Sequence, residues 1–206
     1  MKRLRKPENT AYEFVSYVPL PEARTILAKR FLQTGYEWAL WMDDDVIPPA
    51  DGLEKLLSHN LPLVTGLYPT RKKWGEQTLS AWVKASDGRK SGYVAIGFDQ
   101  PGRLVKVDVA GMGFLLMHRS VLESVPMPWF RWTWLDERDV DDATAQTSED
   151  FFFFQRCASY GIPLYADMEV LCAHMGVFKM TYVKRGGKVE GPIFTVPNDN
   201  REEYVA

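Results

Sequence analysis

One junction constrains this chain more than any other feature: Trp38-Ala39-Leu40-Trp41-Met42 runs directly into Asp43-Asp44-Asp45. Five apolar residues are the length of a buried central strand. Three adjacent carboxylates are too costly to bury without partners, so the strand must end at a wet edge. In an open parallel sheet, ligands bind beyond the carboxyl ends of the strands. Strand alternation would turn Asp43 and Asp45 to one side and Asp44 away. Two converging carboxylates repel unless a cation or proton lies between them. An acidic turn leading into a helix uses the same residues, and position alone leaves both readings open.

The surrounding pattern predicts a sheet for this strand to join. Residues 12–19 alternate as a strand, and 22–34 carry Ala23, Ile26, Leu27, Phe31 and Leu32 at helical spacing, with Pro21 at the start and Gly35 as the stop. A short helix over 51–59 and a strand over 61–68 follow. This rhythm argues for a parallel α/β sheet. The second half differs. Residues 79–85 and 91–98 flank Ser86-Asp87-Gly88-Arg89 as a hairpin; Leu104–Val109 and Gly113–His118 read as strands and 119–124 as a helix. Pro128–Trp134 is an irregular aromatic stretch, and 135–147 an acidic segment. A helix over 148–160 stops at Gly161, a strand spans 163–171, and residues 181–206 read as an extended tail.

Composition excludes several classes. The 206 residues are 46% hydrophobic and 13% aromatic, enough for a substantial core and against overall disorder. With 25 basic and 27 acidic residues, the chain lacks the basic excess of an electrostatically driven nucleic-acid binder. Cys157 and Cys172 are too few for a disulfide framework. No apolar h-region follows the basic start and no run of eighteen apolar residues occurs, so the expectation is a cytoplasmic protein without a transmembrane segment. Peripheral membrane contact would be limited to the basic stretch Met1–Lys6.

With these residues in view, Trp38–Pro49 resembles the Asp-x-Asp region of GT-A-fold glycosyltransferases of the family 2 type. The likeness continues in order. Ala23-Arg24-Thr25 resembles the Ala-Arg-Asn helix before that motif, and Val64–Lys72 the strand and basic turn after it. Val109–Leu116 is similar to the glycine-rich strand. Trp129-Phe130 and Ser148-Glu149-Asp150 with Gly161 resemble the Glu-Asp helix, and His174-Met175-Gly176 the terminal His-x-Gly. The resemblance spans residues 22 to 180. It implies a GT-A-like (Rossmann-like) α/β fold: a mixed sheet with flanking helices in one domain over 1–180, residues 12–75 forming the nucleotide-binding half and 76–180 the acceptor half.

It further implies a metal-dependent glycosyltransferase that moves a sugar from a UDP- or GDP-sugar to a glycan or other hydroxyl acceptor, with inversion. Asp45 and His174 would ligate Mn²⁺, or Mg²⁺ in its place; mixed carboxylate and imidazole ligation with open positions suits such ions. Asp43 would touch the ribose. Arg24, Asp44 and Arg71, with Lys72, would line the donor site, and Gly111 and Gly113 would let backbone approach the sugar. Asp150 would be the general base, kept ionised by its place in the first helical turn, and Glu149 would bind hydroxyls. Trp129, Phe130, Trp132 and Trp134 are either core or stacking platforms for an acceptor. Residues 135–147 sit where such enzymes carry a lid.

The chain departs from the pattern at its start. About twenty residues before the Arg24 helix leave room for one strand, where the family has a strand–helix–strand unit. An abbreviated nucleotide pocket, or a piece of a longer protein, is the expectation. Two other readings compete: a nucleotidyltransferase or phosphohydrolase, which would want further acidic ligands on a strand end, and a non-catalytic nucleotide- or carbohydrate-binding protein on the same fold.

Overall fold

A computed structural model describes residues 4–70, 78–85, 92–100, 102–134, 146–176, 179–185 and 188–195. In chain order its elements are α1 (Leu20–Leu32), β1 (Trp38–Met42), β2 (Val46–Ile47), α2 (Gly52–Ser58), β3 (Leu63–Leu67), β4 (Ala81–Lys84), β5 (Tyr93–Ala95), β6 (Leu104–Val107), β7 (Val109–Ala110), β8 (Phe114–His118), α3 (Ser120–Ser124), β9 (Thr133–Trp134), β10 (Gln146–Thr147), α4 (Glu149–Ser159), β11 (Leu164–Leu171), β12 (Ala173–His174), β13 (Lys179–Arg185) and β14 (Lys188–Thr195).

The central sheet has the order β1-β8-β3-β11-β6. β3 and β11 pair in parallel, whereas β8 is antiparallel to both β1 and β3, and β6 is antiparallel to β11. The sheet is thus mixed, as the family resemblance implied, and the parallel pairing that the strand–helix rhythm predicts is kept between β3 and β11. β1, β3 and β11 run in one direction, and their carboxyl ends share one edge.

Alternation divides the sheet's side chains between two cores. Trp41, Leu63, Leu67, Leu115 and Met117 face a core with Ala28 of α1 and Phe153, Phe154 and Cys157 of α4. Val64, Phe114, Leu116 and Val170 face the other, with Leu53 and Leu56 of α2. Helices thus cover both faces, the architecture that buries continuous apolar strands such as the fully buried β3. Cys157 and Cys172 are buried free thiols. Among the described residues no helix is long and apolar enough to cross a membrane.

Several predicted elements differ. Residues 12–19 form no strand; Tyr12, Phe14 and Tyr17 are exposed, and among the described residues no strand pairs with them. A strand needs a neighbour to take its backbone groups, and alternation alone does not supply one. Leu104–Val109 divides into β6, in the central sheet, and β7, in the three-stranded sheet β5-β4-β7. Residues 179–195, which overlap the predicted tail over 181–206, pair as a hairpin that continues through β12 to β2. The helix stop at Gly161 holds: its φ is +72°, and Ile162 N–H returns to the Cys157 carbonyl at 3.0 Å.

The middle of β11 carries a bulge between Ala166 and Leu171, pinned by a carboxylate that sequence reading passed over. Asp167 is fully buried. His59 Nε2 lies 2.8 Å from its Oδ2, Arg103 Nη2 donates to the same oxygen at 3.1 Å, and Glu169 N–H donates to Oδ1 at 2.8 Å. Burial works against the charge, but the Arg103 and His59 hydrogen bonds outweigh it and hold the Asp167 pKa below its ordinary value. A depressed folded-state pKa contributes stability above the unfolded value, near 4, that is lost as pH falls through the folded one. Asp167→Asn should therefore lower stability at pH 7 by about 2 kcal/mol. In urea titrations the gap from wild type should narrow below pH 4; a gap that is constant with pH would refute the electrostatic account.

Candidate functional site

The site begins with a buried cation. Arg24 sits in α1 with 5% of its surface exposed. Its Nε donates to Glu149 Oε1 at 2.9 Å and its Nη2 to Asp43 Oδ1 at 3.2 Å. Burial disfavours the guanidinium charge, but Asp43, Glu149 and Asp150 overcome that penalty and raise the Arg24 pKa above its usual value. Arg24 thereby ties the end of β1 to the first turn of α4. Glu149, itself 3% exposed, is occupied by this pairing. The pairing gives Glu149 and Arg24 a positioning role in this structure, holding the end of β1 against the start of α4.

The three aspartates form a turn, not an extension of β1: Val46 N–H bonds the Asp43 carbonyl at 3.2 Å. Alternation therefore does not set their directions. Asp43 faces Arg24, Asp44 is exposed, and Asp45 faces His174. The last pairing is built by a ladder in which β12 runs antiparallel to β2, His174 opposite Val46, with Met175 N–H on the Asp45 carbonyl at 2.6 Å.

His174 Nδ1 lies 2.7 Å from the Pro69 carbonyl. That oxygen only accepts, so Nδ1 carries a proton. In the neutral ring, Nε2 then presents its lone pair to Asp45 Oδ1, 3.5 Å away. The separation exceeds an ordinary hydrogen bond and suits two donors on one cation with bonds of about 2.1 Å. A backbone carbonyl fixing the far nitrogen is the usual support of a metal-binding histidine. Among the described residues no group of three or more His, Cys, Asp or Glu could hold a metal. This pair fits two positions of a divalent ion, and the remaining ones would fall to ligand oxygens or water.

Tyr68 joins these parts and was not anticipated. Its phenol, 7% exposed, accepts the Gly113 N–H at 3.0 Å and meets the His174 ring edge-on at 5.2 Å between centroids. Burial, followed by the nearby Asp43 and Asp150 charges, raises its pKa well above the usual phenol value. The phenol also explains the two glycines. A Cβ at Gly111 would overlap Tyr68 Oη, and one at Gly113 would come within 2.8 Å of Tyr68 Cζ and 2.9 Å of Val46 Cγ2. Both make room for Tyr68.

Asp150 lies one residue beyond the Arg24 anchor. Burial and the neighbouring Glu149 raise its pKa to about 6, in spite of the opposing Ser148 hydroxyl, Arg24 and the Phe151 N–H. The helix end does not offset this rise, yet the carboxyl is still ionised at neutral pH. Both of its hydrogen bonds, from Ser148 Oγ and Phe151 N–H, go to Oδ1. Of the aromatic candidates, Trp129 and Phe130 are core, at 6% and 4% exposed, whereas Trp132 is 52% exposed. Of Trp134 only the backbone, in β9, is described. Arg71, Lys72 and the acidic segment through 145 lie outside the described residues.

No protein-family model and no curated protein matches this chain. Among solved structures, that of A197 from STIV resembles it, with a TM-score of 0.53 and 19% sequence identity, covering 89% of this chain and 81% of that one. The two share a fold.

Two outcomes follow from the packing and charge of the site. Gly111→Ala should destabilise the protein by about 2–3 kcal/mol, the cost of overpacking. Adding Tyr68→Phe, which removes the overlapping oxygen, should recover part of that loss in thermal melts. Asp150→Asn keeps an oxygen for both Oδ1 bonds and removes a charge that is unfavourable above pH 6. A raised carboxylate pKa means that wild-type stability falls as pH rises from about 4 to 6. The variant should therefore be more stable than wild type by about 2 kcal/mol at pH 7.5, an advantage that calorimetry should find vanishing by pH 4.

Proposed function

We propose that this protein is a metal-dependent glycosyltransferase of GT-A-like fold, transferring a sugar from a nucleoside-diphosphate sugar to a hydroxyl acceptor with inversion. The observation that carries the reading is the His174–Asp45 pair, two lone-pair donors 3.5 Å apart beside the Asp43 turn. Asp45 and His174 would hold Mn²⁺ or Mg²⁺, and the ion would supply the positive charge that balances a departing diphosphate. Asp43, 35% exposed in its side chain while anchored by Arg24, keeps a face for ribose hydroxyls.

Asp150 is the general base of this scheme. It takes the proton of the acceptor hydroxyl as that oxygen bonds to the anomeric carbon and the bond from that carbon to the diphosphate oxygen breaks. A base with a pKa of about 6 is ionised at neutral pH yet retains basicity. Arg24 and Glu149 set the position of Asp150 and do not touch substrate.

A thermal-shift titration with UDP and GDP, each with Mn²⁺, Mg²⁺ or EDTA, tests the donor site. Native-state binding at 100 times Kd should add about 2.7 kcal/mol of stability. The expected shift requires metal and disappears in Asp45→Ala and in His174→Ala. No shift with either nucleotide from folded protein would sink the proposal. A metal-dependent shift without sugar transfer, measured over a panel of donor sugars and glycan acceptors, would favour a non-catalytic binding protein.

A further inference from the structure

A cavity of about 390 Å³ opens between the first turns of α1 and the segment that follows Trp129, lined by Pro21, Glu22, Thr25, Ile26, Arg131 and Trp132 with Phe130 behind. Its chemistry is mixed. Trp132 presents an indole that is half exposed, a flat apolar face wanting cover. Glu22 is exposed and can accept hydrogen bonds from hydroxyls. Arg131, its guanidinium 5.1 Å from the Phe152 ring, is oriented by that stacking and keeps N–H edges to donate. Thr25 Oγ1 donates to the Pro21 carbonyl at 2.7 Å, which leaves its lone pairs as acceptors.

A flat apolar platform bordered by a carboxylate and a guanidinium complements a pyranose, whose C–H face is apolar and whose rim alternates donors and acceptors. The volume lies at the small end of ligand pockets, about 300–1,000 Å³, and admits one or two rings. Glu22 opposes a phosphate in the same space, which disfavours a nucleotide.

The cavity is built on the same two helices that carry Arg24 and Asp150. Thr25 follows the anchor Arg24 in α1, and Arg131 stacks on Phe152, two residues after Asp150. We infer that this cavity is a pyranose-binding subsite, an inference that stands apart from the glycosyl-transfer reading.

Saturation-transfer NMR with cellobiose, maltose, chitobiose and mannobiose tests it on wild type, Trp132→Ala and Glu22→Gln, beside the nucleotide thermal shift. The expected result is binding of at least one disaccharide that weakens about tenfold in Trp132→Ala, partly returns in Trp132→Phe and weakens in Glu22→Gln. Both variants should keep the metal-dependent nucleotide shift of wild type. Disaccharide binding unchanged in both variants, or absent while the nucleotide shift is present, would overturn the subsite and leave the transfer reading standing. Displacement of the bound disaccharide by UMP or GMP without metal would also overturn it. Disaccharide binding that depends on Trp132, with no nucleotide shift, would uphold the pocket and remove the transfer reading.

Discussion

Arg24 organises this end of the molecule. A guanidinium removed from water must recover its lost hydration through well-placed anions, and here it finds one at the end of β1 and one at the start of α4. Neither carboxylate would hold the same place alone. Asp43 would swing with its turn, and Glu149 is too buried to remain charged without a partner. The bidentate demand of the guanidinium thus fixes the spacing between a strand end and a helix start. Asp150, the next residue of that helix, inherits its position and a negative neighbour.

The second constraint is a chain of polar contacts through Pro69, His174 and Asp45. A backbone carbonyl selects the tautomer of His174, and the ladder between β2 and β12 sets its distance from Asp45. Tyr68 packs beneath, one residue before the carbonyl that selects the tautomer. Precision in this pair therefore comes from backbone register and not from side-chain choice. That is how a two-residue strand such as β12 contributes more to a site than its length suggests.

Local signals carried much of the fold. The apolar run of β1, the heptad-like spacing of α1 and the Gly161 stop of α4 each act through neighbours in sequence, so a single chain displays them. The failures share the opposite cause. Residues 12–19 have a strand's pattern but no strand beside them. The Asp43–Val46 turn replaces alternation because β1 ends one residue earlier than its carboxylates. Gly113 meets a phenol 45 positions away, Gly111 meets the same ring, and Asp167 is held by His59 and Arg103. Nothing in the local sequence distinguishes a glycine that clears space for a ring from one that clears space for a ligand. Arg24, Asp43, Glu149, Asp150, Asp45 and His174 were all picked out as residues, but their division into anchors and exposed groups required three dimensions.

The Arg24–Glu149 pair joins positions 125 residues apart, and this has a consequence for the order in which the molecule comes into being. On the ribosome, domains form as units once their chain is available, with the amino-terminal part waiting. Until α4 emerges, Arg24 has only the Asp43 side of its clamp, and the parallel partner of β3 has not been made. Until residues 149–171 are made, the sheet therefore lacks β11 and Arg24 lacks its second carboxylate. Long-range pairings of this kind are slow to form, so the Arg24 clamp closes only once α4 is present to supply Glu149.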